Sequence, residues 1–310
     1  IDPNKPDGGT GSFEDPYGSF VDFTNDPDFD IVLVNPHASG TDTDLNTGIG
    51  LLDNQRLLST GVAHDFTSTR GTFTLPAAVG GVLPVISNSV GGSPVVTLAD
   101  NNEVSGFVID GSGTDDGITG TGIVGFNINR NEFRDYRNGL LLTNATGTSA
   151  ADRLGIVVDN LFTGTPGASV HGVEIDNSAG GTLDLLVRNN DFTDNREDVN
   201  RNNVLDAGED ANLNGVLDGA GLVLTAEGGS IINTIIGTPS EDLNLNGVLD
   251  AGEDVDGDGI LDDIIGNTFS ENGDGLVFNT DTGGVINGSL NGNTIDNNAR
   301  NGVAMNLAGA

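Results

Sequence analysis

The sequence predicts an all-β fold of the solenoid kind, a coil of short strands interrupted by two loop insertions. Three observations predict it. One pattern, Asn-x-Phe/Ile followed after a gap by Gly-Leu/Val-x-apolar, returns five times between residues 131 and 305. Apolar and polar residues alternate within the pattern, the period of a pleated strand. No long stretch carries helical periodicity.

The first half of the pattern reads Asn131-Glu132-Phe133, Asn160-Leu161-Phe162, Asn190-Asp191-Phe192, Asn267-Thr268-Phe269 and Asn293-Thr294-Ile295. The second half reads Gly139-Leu140-Leu141-Leu142, Gly172-Val173-Glu174-Ile175, Gly221-Leu222-Val223-Leu224, Gly275-Leu276-Val277-Phe278 and Gly302-Val303-Ala304-Met305. In Val173-Glu174-Ile175 the apolar side chains are expected inside and the Glu outside.

The Phe/Ile landmarks are 29, 30, 77 and 26 residues apart, so one interval is anomalous. Within it lie two related 22-residue segments, 198–219 and 242–263, identical at 13 positions. Removing both reduces 77 to 33. Removing only the first brings Phe192 within 7 residues of Gly221, and removing only the second brings Gly221 within 26 of Phe269. The segments are therefore read as insertions at two different corners of one coil. Gly and Asn bound the strands because they tolerate the left-handed conformation of tight corners, and the recurring Asn is positioned to stack as a ladder. Without the insertions, 266 residues at about 28 per coil give roughly nine coils, a rod of roughly 45 Å. The expected arrangement is one domain over residues 1–310, with 1–100 forming an N-terminal cap and the first coils.

Composition narrows the function. There are 46 acidic residues against 11 basic ones, a net charge of −35, and Lys5 is the single lysine. Nucleic acid and anionic membrane surfaces are excluded as partners on charge. Gly, Asn or Asp interrupts every apolar run before it reaches membrane-spanning length, so no membrane span is expected. With no cysteine, rigidity must come from repetition or from bound ions rather than disulfides. The chain starts at Ile1 without Met or a signal peptide, and a segment of a longer secreted or cell-surface polypeptide is expected.

The chain resembles the right-handed parallel β-helix repeat proteins of the pectin-lyase-like superfamily, in the bacterial surface type. The likeness runs through Gly8-Gly9-Thr10-Gly11-Ser12-Phe13-Glu14-Asp15-Pro16-Tyr17, the strand-like Asp30-Ile31-Val32-Leu33-Val34, Leu51 to Leu58 and Asn101 to Gly111. It implies the handedness and the fold over nearly the whole chain. It leaves function open, since that superfamily holds lyases, hydrolases, tailspikes and non-catalytic adhesins.

The clearest chemical signal lies in the insertions. In the first, Asp198, Asn200, Asn202, Asp206 and Glu209 occupy positions 1, 3, 5, 9 and 12 of a loop in which Val204, at position 7, offers its backbone carbonyl. In the second, Asp242, Asn244, Asn246, Val248, Asp250 and Glu253 repeat this, with the expected Gly247 at position 6. Ca²⁺ takes six to eight hard oxygens, and this spacing curls them about one point. Asn203 replaces the position-6 glycine in the first loop, a tolerable change because Asn also adopts a positive φ. Each loop runs directly into another: Asp210, Asn212, Asn214, Val216 and Asp218, then Asp254, Asp256, Asp258, Ile260 and Asp262. These following loops lack a Glu at position 12, where Gly221 and Ile265 stand, so they are expected to bind more weakly or to borrow a ligand. Two to four calcium ions are expected. Loop following loop without helices resembles dockerin and thrombospondin type 3 calcium repeats, which implies a rigidifying role.

Enzyme chemistry is the competing expectation, a polysaccharide lyase or glycoside hydrolase acting on an acidic polysaccharide. Asn279-Thr280-Asp281 resembles one galacturonase motif, but no paired aspartates, Gly-His-Gly or Arg-x-Lys follow it. Arg130, Arg134, Arg137, Arg153 and Arg188 are the candidate bases, with Arg188 expected near Asp159 or Asp191 of neighbouring coils. Tyr136 is a candidate for stacking on a sugar. His37, His64 and His171 are scattered and form no triad or zinc pattern. The sequence therefore favours a non-catalytic, calcium-binding structural or adhesive module, with a surface glycan as one possible partner and no catalytic residue assigned.

Overall fold

The structure, a computed structural model, describes residues 1–5, 8–12, 14–23, 25–26, 30–37, 45–68, 71–77, 81–151, 153–238 and 265–307. It is nearly all β, 45% strand and 1% helical, and its strands form large parallel sheets. The first parallel sheet runs in the order Ile31–Val34, Arg56–Ser59, Asn102–Ser105, Phe126–Asn129, Gly155–Val158, Gly181–Arg188, Ser230–Ile236 and Val285–Leu290. The second runs Ile49–Gly50, Val96–Thr97, Ile118–Thr121, Asn138–Thr143, His171–Asn177, Ala220–Ala226, Asp274–Thr280 and Val303–Leu307. The third has seven short strands, from Val85–Ser87 to Thr294–Asp296. From Asn102 onward the chain visits the first, third and second sheets in strict rotation. Before it, one antiparallel hairpin among the described residues pairs His64–Ser68 with Gly71–Leu75.

Both halves of the repeat fall where they align side by side. The Asn-x-Phe landmarks form the third sheet, with Phe133, Phe162, Phe192, Phe269 and Ile295 in register. The four phenylalanine rings stack face to face at centroid distances of 4.4, 4.9 and 4.7 Å, and all are buried. Such stacking adds about 0.5–1.5 kcal/mol per pair beyond the burial of the rings. The Gly-Leu/Val blocks form the second sheet, aligning Leu140, Val173, Leu222, Leu276 and Val303. Their glycines are required by close approach. A Cβ on Gly172 would lie 2.7 Å from the Gly221 carbonyl oxygen and 2.8 Å from the Phe192 ring, and one on Gly221 would lie 2.7 Å from Phe269.

The repeated asparagines form the expected ladder. The Nδ2 groups of Asn131, Asn160, Asn190 and Asn267 each donate to the Oδ1 of the next Asn, at 3.1, 3.0, 3.0 and 2.8 Å. Each backbone amide donates to that same oxygen, so buried polar groups beside the third sheet are satisfied from strand to strand. A second asparagine row, Asn195, Asn272 and Asn298, runs three residues after the aromatic stack.

The third sheet is continuous across the long interval. Asp191–Thr193 pairs directly with Thr268–Ser270 across a 77-residue gap in sequence. Residues 198–219 are described and project from the corner after the third sheet. Residues 242–263, with Asp242, Asn244, Asn246, Val248, Asp250, Glu253, Asp254, Asp256, Asp258, Ile260 and Asp262, lie outside the described residues.

Candidate metal centre

The first insertion folds as two successive loops whose side chains grip their own backbone in the same way. Asp198 accepts the amides of Asn202 and Asn203 at 3.1 and 2.8 Å. Asp210 accepts those of Asn214 and Gly215, both at 2.9 Å. The Asn200 side chain accepts from the Asn202 amide and the Asn202 side chain from Val204, and Asn212 and Asn214 do the same in the second loop. Such short polar side chains bond neighbouring amides in preference to entering regular structure. Positions 4 and 6 are left-handed in both loops, at Arg201 and Asn203 and at Leu213 and Gly215. Asn203 thus takes the conformation usually reserved for glycine.

The two loops converge on equivalent carboxylates. Asp206 accepts the amide groups of Asn200 and Asn202, both at 2.9 Å, and Asp218 accepts those of Asn212 and Asn214 at 3.1 and 2.6 Å. Glu209 closes the first loop by accepting the amides of Val199 and Asp206, positions 2 and 9, both at 3.0 Å. In the second loop positions 2 and 9 are Ala211 and Asp218, and both amides donate to Glu197 at 2.8 Å. Glu197 therefore holds, in the second loop, the place that Glu209 holds in the first. It stands immediately before the first loop, so a search running forward from Asp210 passes it by. A signal was available: Glu197-Asp198 recurs as Glu241-Asp242 at the start of the second insertion.

Electrostatics separate these carboxylates. Glu197 is fully buried, and burial pushes its pKa up despite the amide donors on it. Exposed Asp206 is held below the usual carboxylate range by the side-chain amides of Asn200 and Asn202. Val204 and Val216 turn their side chains to solvent, as residues contributing only backbone oxygen would. An ion pair between Arg201 and Glu271 ties the first loop to the end of strand Thr268–Ser270. Among the described residues, no three His, Asp or Glu side chains converge as a ready-made metal cage, because the carboxylates are turned onto loop amides. The donors that line both loops are all oxygen, the chemistry that suits a hard cation.

No protein-family model, curated protein or solved structure matches this chain.

The residues considered for catalysis are dispersed. Arg134 pairs with Asp110 at 3.1 Å and Arg137 with Asp116 at 2.6 Å. Arg130 donates to the Ala63 carbonyl and the Ser105 hydroxyl, and one of its nitrogens lies 3.3 Å from buried His64. Arg153 and Arg188 are half-buried, and the strand carrying Arg188 pairs with Gly155–Val158, just before Asp159, whose carboxylate accepts from Asn189. His37 is half-exposed on a loop near the N-terminus. The suggestion that Tyr136 stacks on a sugar is corrected: it is fully buried against Phe133, and its hydroxyl donates to Asn195 at 2.6 Å. In the galacturonase-like motif Asp281 caps a corner by accepting the Gly228 and Gly284 amides.

Proposed function

We propose that this chain is a calcium-binding structural or adhesive module of a secreted or cell-surface protein, built as a right-handed parallel β-helix. The β-helix reading is supported by the strict rotation of strands through three parallel sheets. The calcium reading is carried by one observation: two adjoining loops with oxygen donors at the same positions close on Glu209 and Glu197 through the same pair of amides. In this reading Asp198, Asn200, Asn202, Val204, Asp206 and Glu209 hold one ion. Asp210, Asn212, Asn214, Val216, Asp218 and the borrowed Glu197 hold a second. Calcium would supply the positive charge that this crowd of carboxylates lacks, and its binding energy becomes folding energy for the insertion. The role is rigidity, because no helix pair flanks the loops to be opened by the ion.

Two further observations fit. No helix among the described residues is long and apolar enough to cross a membrane. Three of the five arginines weighed as catalytic bases, Arg134, Arg137 and Arg130, are tied to Asp110, Asp116 and the Ala63 carbonyl, which disfavours the lyase alternative. Melting of the chelator-stripped protein with and without 1–10 mM Ca²⁺, a range bracketing weak extracellular sites, is the test. A raised melting temperature supports the proposal, and an unchanged one at every concentration overturns it.

A further inference from the structure

The antiparallel hairpin of His64–Ser68 with Gly71–Leu75 forms a sheet of its own, and its second strand is exposed along Gly71–Thr74. Its first strand is fastened to the parallel sheets through Phe66 and His64. Phe66, stacked on Phe73 at 5.0 Å, has the Arg56 guanidinium 4.7 Å from its ring centre. His64 is buried, only 1% exposed, and both of its ring nitrogens meet a partner.

Those partners fix the tautomer. Nε2 lies 2.7 Å from the Ser59 carbonyl oxygen, which can only accept, so Nε2 carries the proton. Nδ1 lies 3.3 Å from an Arg130 nitrogen, which can only donate, so Nδ1 offers its lone pair. The surroundings therefore suit only a neutral imidazole. Arg130 is itself pinned, donating to the Ala63 carbonyl at 2.6 Å, the Ser105 hydroxyl at 3.1 Å and the Asn129 side-chain oxygen at 3.0 Å. A second proton on His64 sets N–H against N–H and cation against cation. The carboxylates nearby are engaged elsewhere. Glu103 pairs with Arg56 at 2.6 Å and accepts from Asn129 at 3.2 Å, and Asp65, next to His64, accepts from Thr74 at 2.5 Å.

We propose that His64 is a proton-operated latch, whose protonation releases the hairpin while the three parallel sheets stay paired. Opening takes the imidazole away from Arg130 into water and lifts Phe66 off Arg56, so acidification exposes an aromatic face. The device is independent of the calcium reading, since none of the proposed calcium ligands takes part in it.

Burial lowers the pKa of His64 below the usual 6.5, and the charges of Arg130 and Arg56 act in the same direction. The Ser59 carbonyl and Glu103 act against them. The closed state thus has a lowered pKa and the open state an ordinary one, so closure is favoured above pH 6.5. It weakens as pH falls, by up to about tenfold per pH unit, until the closed imidazole itself takes a proton.

The test is hydrogen exchange of the full chain at pH 7.5 and 5.5, corrected for intrinsic rates, with the His64 ring followed by NMR. Opening of the hairpin amides is expected to rise about fivefold or more on acidification, with the amides of His171–Asn177 unchanged. His64→Gln, which keeps a donor for Ser59 and cannot be protonated, is expected to hold the hairpin equally at both pH values. Arg130→Gln removes the facing cation and is expected to move the His64 titration up toward 6.5 and to weaken the pH response. Unchanged hairpin protection in the wild type, an equal acid loss in His64→Gln, or loss at His171–Asn177 in step with the hairpin overturns the proposal. If His64→Gln does not melt cooperatively, the wild-type ring decides. Titration at 6.5 or above with the hairpin still protected overturns the latch, and titration below 6.5 in step with opening upholds it.

Discussion

Glu197 accepts the backbone amide of Asp218 at 2.8 Å, 21 residues further along the chain, and so closes a loop that it precedes. Its second oxygen takes the amide of Ala211, leaving the carboxylate fully buried. This contact turns two loops with one terminal glutamate in sequence into two loops with one each.

Glu197→Gln keeps the shape but removes the charge. It is expected to abolish one calcium site while leaving the other, so that calorimetric stoichiometry on the wild type and the variant differs by one ion. Glu209→Gln is expected to remove the other site. Loss of both ions in either single variant would mean that the loops form one cooperative unit.

The aromatic stack is a continuous apolar seam along the third sheet. Phe192 lies between Phe162 and Phe269, and Phe192→Ala is expected to destabilise by about 3–5 kcal/mol in denaturant unfolding. Phe192→Leu should cost clearly less, because it refills most of the space.

The asparagine ladder makes a different prediction. Asn190 accepts from the amide and side chain of Asn160 and donates to Asn267 and to the carbonyls of Val157 and Arg188. Asn190→Ala leaves several buried groups unpaired and is expected to cost at least about 2 kcal/mol. Asn190→Asp keeps the acceptor but buries a charge, so its loss should be larger at pH 8 and should shrink on acidification.

Stability should depend on pH through two groups on the strand His171–Asn177, Glu174 and His171. Glu174 has its folded pKa raised from 4.5 to about 7, so the folded state holds a proton that the unfolded state releases. Its contribution is present below about pH 4.5 and is lost as pH rises through 7, by at most about 3 kcal/mol. His171 is lowered from 6.5 to about 4 by burial, so its contribution has the opposite sign and grows as pH rises from 4 to 6.5. The two offset in the wild type. In chelator, Glu174→Gln should unmask a rise in stability from pH 4 to 6.5 with no later fall, and a persisting fall between pH 5 and 8 would contradict the assignment.

The repeat was legible because it is periodic: a one-residue reading error would have broken the alignment of Phe133, Phe162, Phe192 and Phe269. The 77-residue interval was resolved because both insertions carry the same Asp, Asn and Glu spacing, and Phe192 indeed meets Phe269 directly. Glu197 was not found because motif spacing runs forward from the first ligand, whereas the chain here folds back onto a residue upstream. The second asparagine row was missed for want of repetition, since Tyr136 and Thr165 occupy its earlier positions.

Calcium titration by calorimetry of the chelator-stripped chain, alongside Glu197→Gln and Glu209→Gln, tests the central claim most directly. The account predicts saturable binding of at least two ions by the wild type and one fewer in each variant. Absence of binding at millimolar Ca²⁺, or binding untouched by either substitution, would contradict it.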